Sequence, residues 1–101
     1  SLDEARAEYA RRLVLRVNAR QCEAGILRAL AALLAEHRTD GRCAVWLEYS
    51  GPVARVELAF GSDWRVKPSE ALLKRLRELV GAEVVQLRYE QQATVDQNSL
   101  A

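Results

Sequence analysis

Hydrophobic and polar residues alternate at period two along four stretches of the chain, which is the pattern of half-buried β-strands. Ser50-Gly51-Pro52 separates the second stretch from the third and predicts a β-hairpin there. A further short extended piece is expected at 64–66, because the residues before Pro68 avoid the helical region. The four predicted strands are 12–17, 43–49, 53–60 and 84–89.

Two other stretches, 21–37 and 68–80, repeat apolar residues three and four positions apart, which is the spacing of an amphipathic helix. The second of these begins at a proline and ends before Gly81, and both residues suit those positions. The turn residues Thr39-Asp40-Gly41 are expected to end the first. A short polar helix is predicted over about 2–11, because Ser1 and Glu4 have the spacing of a capping box.

After the leading helix the predicted order is β-α-β-β-α-β. This order is typical of the α+β, ferredoxin-like (split βαβ) fold, an antiparallel sheet with two helices on one face. Residues 1–90 are predicted to form a single α+β interaction domain, and 91–101 a flexible tail, because the tail shows no hydrophobic period. The opposite face of the sheet is expected to be mixed and polar, and to present Val14, Arg16, Ala44, Trp46, Glu48, Arg55, Glu57, Gln86 and Arg88.

Composition narrows the class of protein. Half of the residues are apolar, and 15 Lys+Arg against 14 Asp+Glu give a net charge of +1, which argues against disorder and against a general attraction to nucleic acid or anionic lipid. The dense apolar stretch 26–35 is too short to span a membrane. Asp3, Glu4 and Arg6 stand where a secretory apolar segment would begin, so a cytoplasmic location without membrane contact is expected.

Residues that carry chemistry are few. The single histidine, His37, falls at the end of a predicted helix, where a cation near the C-terminus is the alternative to a catalytic role. Cys22 and Cys43 have only that histidine between them, which is too few ligands for a tetrahedral zinc site. The aspartates lie singly in turns, and the glycines stand singly at element ends. The sequence therefore predicts no catalytic residues, no metal and no cofactor.

Two surfaces are candidates for a partner. Trp46 falls on the polar face of its strand, where it either contacts a partner or packs under the leading helix. Trp64 is expected to pack at a helix edge or to contact a partner. The other candidate surface is a basic stretch that either contacts phosphates or forms a solvated helix face, and it comprises Arg65, Lys67, Lys74, Arg75 and Arg77. Base stacking is not expected, because the predicted central strands 12–17 and 53–60 expose no aromatic residue.

The string Phe60-Gly61-Ser62-Asp63-Trp64-Arg65-Val66-Lys67-Pro68-Ser69, with the leucine-rich helix and the strand 84–89 that follow it, resembles the C-terminal domain of the bacterial replicative DNA polymerase III alpha subunit. The likeness extends back through Leu2-Asp3-Glu4-Ala5-Arg6 and covers roughly residues 1–90. It implies a noncatalytic module of a DNA-directed DNA polymerase, a nucleotidyltransferase whose active site lies in other domains. It also implies docking on the tau subunit of the clamp loader during chromosomal replication.

The resemblance places the tau contact near the end of the domain, at Leu87, Arg88 and Tyr89, and Trp46 is added from the strand pattern. The rest of the alpha subunit is a second implied partner. The stretch 85–89 is partly like a sliding-clamp peptide, and the family resembled ends near the position of Glu90, whereas this chain continues to Ala101. The alternative function is a nucleic-acid-binding module that uses the basic stretch to contact DNA.

Overall fold

The computed structural model describes residues 1–89, so the predicted tail 91–101 lies outside the described residues. The predicted order of elements is confirmed, with one additional short helix. Short 3₁₀ turns precede α4 and β4, at Ser62–Trp64 and Ala82–Val84. The elements are α1 Leu2–Tyr9, β1 Ala10–Asn18, α2 Ala19–Glu23, α3 Ile26–Ala35, β2 Arg38–Ser50, β3 Arg55–Ala59, α4 Glu70–Val80 and β4 Val85–Tyr89.

The four strands form one mixed sheet in the order β3-β2-β1-β4. The two central strands, β1 and β2, run parallel in a register from Arg12↔Ala44 to Asn18↔Ser50. The outer pairs, β1 with β4 and β2 with β3, are antiparallel. The predicted antiparallel sheet is therefore wrong in its centre, where no third strand splits the βαβ unit. The hairpin of β2 and β3 is confirmed, but it places β2 rather than β3 at the centre.

The core lies between the sheet and two helices, α3 and α4, on one face, as predicted. Strand residues Leu13, Leu15 and Val45 are at most 1% exposed. They pack in one cluster with the apolar sides of the helices, because the strand and helix periods each place apolar residues on one face. The helix residues of this cluster are Leu30, Leu33, Leu34, Leu72, Leu73, Leu76 and Val80.

The predicted helix over 21–37 is divided in two. Gly25 adopts φ +88° between α2 and α3, a left-handed conformation that favours glycine and interrupts the helix. Asn18 and Gln21 form the capping box that starts α2, so the helix also begins earlier than predicted. At the other end, β2 begins at Arg38, and the predicted turn Thr39-Asp40-Gly41 lies within this strand.

The leading helix is shorter than predicted, because β1 begins at Ala10. Its Ser1–Glu4 capping box is confirmed. The carboxylate of Asp3 accepts a hydrogen bond from the Glu70 amide at 3.0 Å, and Arg6 donates to the Glu70 carboxylate at 2.9 Å. The helix α1 is thus fastened to the start of α4.

Gly81 is the position at which backbone conformation restricts the residue most. It ends α4 with φ +114° and ψ 142°, a region that residues with a Cβ rarely adopt. We expect Gly81→Ala to lower the free energy of unfolding by about 1–3 kcal/mol, although the added Cβ meets only Val84 Cγ2 at 3.7 Å. Urea denaturation measures this.

Gly61→Ala is the matched control, because Gly61 has φ −64° and open space around an added Cβ. Its free energy of unfolding should stay within about 0.5 kcal/mol of the parent value. Equal losses in the two variants would contradict the assignment of the effect to backbone conformation.

Candidate partner-binding surface

The open face of the sheet, which no helix of the core cluster covers, is organised around Trp46. The strand register sets Trp46 between Val14 of β1 and Ala59 of β3. The guanidinium carbon of Arg12 lies 4.3 Å from the centroid of the indole ring, which is the geometry of a cation–π contact. Trp46 is therefore half-buried, with an arginine over its ring.

A second row of charged residues crosses the same face next to Trp46. Arg16 stands opposite Glu48 in the register, and their charged groups are 3.6 Å apart. On the other side of Glu48 stands Glu57 of β3. Arg12, Trp46 and this acidic pair share one shallow depression, which is lined by Arg12, Val14, Trp46, Glu48, Glu57 and Arg88.

The four residues predicted to contact tau are divided between the two faces of the sheet. Arg88 is paired with Arg12 in the register and faces the depression beside Trp46. Leu87 stands opposite Leu13 and packs half-buried against the core. Tyr89 is 50% exposed at the end of β4. Trp46 and Arg88 are thus brought together, whereas Leu87 and Tyr89 lie elsewhere on the edge strand β4.

Arg12 is the residue of this surface that the sequence pattern did not indicate. It begins the predicted strand 12–17, but its position over Trp46 depends on β1 and β2 being neighbours. The register Arg12↔Ala44 and Val14↔Trp46 provides that proximity. In the predicted sheet, β3 lies between β1 and β2 and separates Arg12 from Trp46. The strand pattern alone therefore did not indicate the contact between these two residues.

The second tryptophan is part of the core edge. The Trp64 ring meets Phe60 edge to face, with centroids 5.7 Å apart and planes at 85°. The guanidinium carbon of Arg38 lies 5.0 Å from the Trp64 centroid. Of the two roles predicted for Trp64, packing at a helix edge is the one that these contacts support.

The basic stretch does not form one continuous patch. Arg75 lies 3.8 Å from Glu36, the residue that follows α3, and Arg77 lies 3.0 Å from Glu70. These two arginines are two positions apart on α4, which turns them about 200° around the helix from one another. Glu70 also binds Arg6, so its carboxylate contacts two arginines. The remaining members of the stretch, Arg65, Lys67 and Lys74, are exposed.

The potential nucleophile Cys43 is buried in the core. Desolvation raises the pKa of its thiol to about 11, and the charge of Arg11 opposes this only in part. Cys22 is half-buried, and both cysteines are free thiols. Across residues 1–89, no three His, Cys, Asp or Glu side chains are grouped to hold a metal ion. In the same range, no helix is long and apolar enough to cross a membrane.

The raised pKa of Cys43 predicts a pH dependence of stability. The folded state holds the thiol proton more tightly than the unfolded chain does, so the contribution is complete below pH 9 and is lost as the pH rises toward about 11. We expect the free energy of unfolding to fall more steeply over this range in the parent than in Cys43→Ala. Parallel pH profiles from urea denaturation would contradict the assignment.

The chain matches one protein family and several curated proteins. A profile of the family described as "DNA polymerase III subunit alpha, C-terminal domain" matches residues 29–81. The chain is 43% identical over 89 residues to the DNA polymerase III subunit alpha of Escherichia coli K12, which covers 88% of this chain and 8% of that protein. The corresponding protein of Pseudomonas fluorescens is 37% identical over 89 residues, covering 88% of this chain and 7% of that protein.

The Vibrio cholerae protein of the same name is 34% identical over 88 residues, with 87% of this chain and 8% of that protein covered. No solved structure matches the chain. The chain thus spans less than a tenth of the length of these relatives, but the family profile covers more than half of the chain. The chain belongs to the family of the C-terminal domain of DNA polymerase III subunit alpha.

Proposed function

We propose that this domain is a noncatalytic docking module of a replicative DNA polymerase, and that it holds the polymerase to the tau subunit of the clamp loader in the cytoplasm. The observation that carries the proposal is the tryptophan surface, defined as Trp46, Arg12 and Arg88 on the open face of the sheet, in a chain of this family. Tryptophan and arginine are the residues most enriched where binding energy is concentrated in protein interfaces.

The placement of Trp46 favours a protein partner. Its ring is half-buried on the open face of the sheet, and the guanidinium of Arg12 lies over it. An ordered aromatic side chain loses little conformational entropy when a partner covers it. The neighbouring row of Arg16, Glu48 and Glu57 gives the rim charges of both signs, which suits a specific protein contact better than a uniformly basic one.

The environment of Cys43 favours a docking role over a catalytic role for this domain. The Cys43 thiol is inaccessible and its raised pKa keeps it protonated at neutral pH, so it is not available as a nucleophile. We propose that the nucleotidyltransferase site lies in the remainder of the alpha subunit, which would be the second partner of this domain. The chain matches only 8% of the length of its Escherichia coli relative, which leaves room for the active site in the rest of such a subunit.

Titration of the fluorescently labelled chain with purified tau tests the docking proposal. The intact chain is compared with a chain truncated after Glu90. Retained affinity is expected if the tryptophan surface provides the contact, whereas loss of binding on truncation would move the contact to 91–101. Absence of binding by both chains, when the complete alpha subunit binds tau, would reject the docking role for this domain.

The alternative, a nucleic-acid-binding module, is supported by the exposed side chains of Arg65, Lys67 and Lys74. A single DNA strand bound through phosphates should lose affinity steeply as salt concentration rises. We expect a shallow slope or no binding, because Arg75 and Arg77 are held by glutamates on opposite sides of α4. A steep slope, reduced by Lys67→Ala and Lys74→Ala, would favour the nucleic-acid role over docking.

A further inference from the structure

The outer edge of β3 is an unprotected strand edge. The strand lies at the end of the sheet, and all five of its residues are exposed. Val56 and Leu58 stand opposite Tyr49 and Leu47 on the helix side of the sheet, yet they are 44% and 52% exposed. The helices α3 and α4 thus leave an apolar strip uncovered beside this edge.

The hydrogen bonds of the hairpin show which backbone groups point outward. The Phe60 amide donates to the Val45 carbonyl, and the Ala54 carbonyl accepts from the Gly51 amide, so the even-numbered residues of this strand direct their polar groups toward β2. In an antiparallel ladder these directions alternate along the strand. The amides and carbonyls of Arg55, Glu57 and Ala59 therefore point away from the sheet.

Most of the features that prevent edge pairing are missing from this strand. Natural edges are blocked by prolines, charged side chains (above all lysine), bulges or charges that point inward, and of these β3 has only the charges of Arg55 and Glu57, which lie on the open face. Arg55–Ala59 contains no proline or lysine, and its register with β2 has no bulge. Its side chains on the covered side of the sheet are the apolar Val56 and Leu58. The edge can therefore accept another strand.

The charges on the open face indicate which charged residues an added strand would need. Glu57 stands next to Glu48, and the arginine that balances Glu48 lies on the far side, in β1. Within residues 1–89 no ion pair is formed by Glu57. A cation on an added strand, directly opposite Glu57, would relieve the repulsion between the two glutamates. Arg55, two positions away on the same face, would favour an acidic neighbour.

We propose that the added strand is β3 of a second copy of this chain, paired antiparallel about a two-fold axis at Val56. This register sets Arg55 opposite Glu57 of the second copy, and symmetry repeats the pair. It also sets the two Val56 side chains against each other and Leu58 against Ala54 of the second copy. The strand β3 of a second copy thus supplies both the opposite charges and the apolar side chains that match the edge of β3.

The backbone directions agree with this register. The pairs of Arg55 with Glu57 fall at the outward-pointing positions, where antiparallel residues exchange both hydrogen bonds. The two Val56 residues then form the non-hydrogen-bonded pair, in which side chains approach more closely. The product is a continuous eight-stranded sheet, and its formation does not depend on tau docking.

Analytical ultracentrifugation of the full chain from the micromolar to the millimolar range tests the proposal. The average mass should rise from 11.3 kDa toward twice that value. Glu57→Arg and Arg55→Glu should each weaken association by about tenfold or more, because symmetry turns two ion pairs into two like-charge contacts. The double variant Arg55→Glu/Glu57→Arg restores both pairs and should restore association.

Glu83→Arg is the control, since it reverses an exposed charge outside β3 and should leave association unchanged. Circular dichroism verifies that each variant is folded. A chain that keeps a mass of 11.3 kDa at every concentration would overturn the proposal. So would self-association that the double variant does not rescue. A monomeric chain whose binding to tau is lost in Val56→Lys would assign the edge to a strand of tau instead.

Discussion

Replacing Trp46 with alanine is expected to weaken the binding of tau by about 30- to 1000-fold, a loss of about 2–4 kcal/mol. The indole is the largest apolar side chain on the open face, and the guanidinium carbon of Arg12 lies 4.3 Å from its centroid. Removing the ring also removes the cation–π contact that orders the arginine. Calorimetric titration of the variant with tau measures the loss.

Tyr9→Ala is the matched control, because Tyr9 is an aromatic residue that is 50% exposed at the end of α1 and does not line the depression around Trp46. Its affinity for tau should stay within about twofold of the parent affinity. Since Trp46 stands next to the buried Val14, the folding of the alanine variant is verified by circular dichroism. Trp46→Phe should recover part of the affinity. An alanine variant that binds as tightly as the parent would remove the tryptophan surface from the tau contact.

Leu15→Ala is expected to lower the free energy of unfolding by about 2–5 kcal/mol. Leu15 is 0% exposed in the central strand β1, between β2 and β4 and under the two helices. Its neighbours belong to several elements, so the cavity left by the side chain does not close by the movement of one of them. Such a loss is a large share of the stability of a domain of this size.

Urea denaturation of Leu15→Ala and of Leu2→Ala measures this effect against a control. Leu2 is 68% exposed on α1, so its truncation should change the free energy of unfolding by less than about 0.5 kcal/mol. Equal midpoints for the two variants would show that Leu15 does not occupy the core position described above.

The order of elements was predictable because each local pattern has a physical cause. Alternation in 12–17 and 43–49 follows from a strand with one buried face, and the leucine spacing in α4 follows from a helix with one buried face. Ser1–Glu4 starts α1 as its capping spacing indicates. Gly81 also has the positive φ expected where a helix ends at glycine.

The order of the strands was not predictable in the same way. A strand shows the same alternation whether its neighbour is parallel or antiparallel, so the pattern of β1 does not distinguish β2 from β3 as its partner. Only the register Val14↔Trp46 makes Arg12 a neighbour of the indole. The helix break at Gly25 was missed for a related reason, because the apolar spacing on its two sides continues the same period.

The most direct test of the docking role is calorimetric titration of purified tau with this chain, in parallel with a complete alpha subunit of the family. We expect saturable binding at one site, with a weakened affinity in Trp46→Ala and an affinity within about twofold of the parent in Tyr9→Ala. No heat of binding from the chain, under conditions in which the complete subunit binds tau, would contradict it.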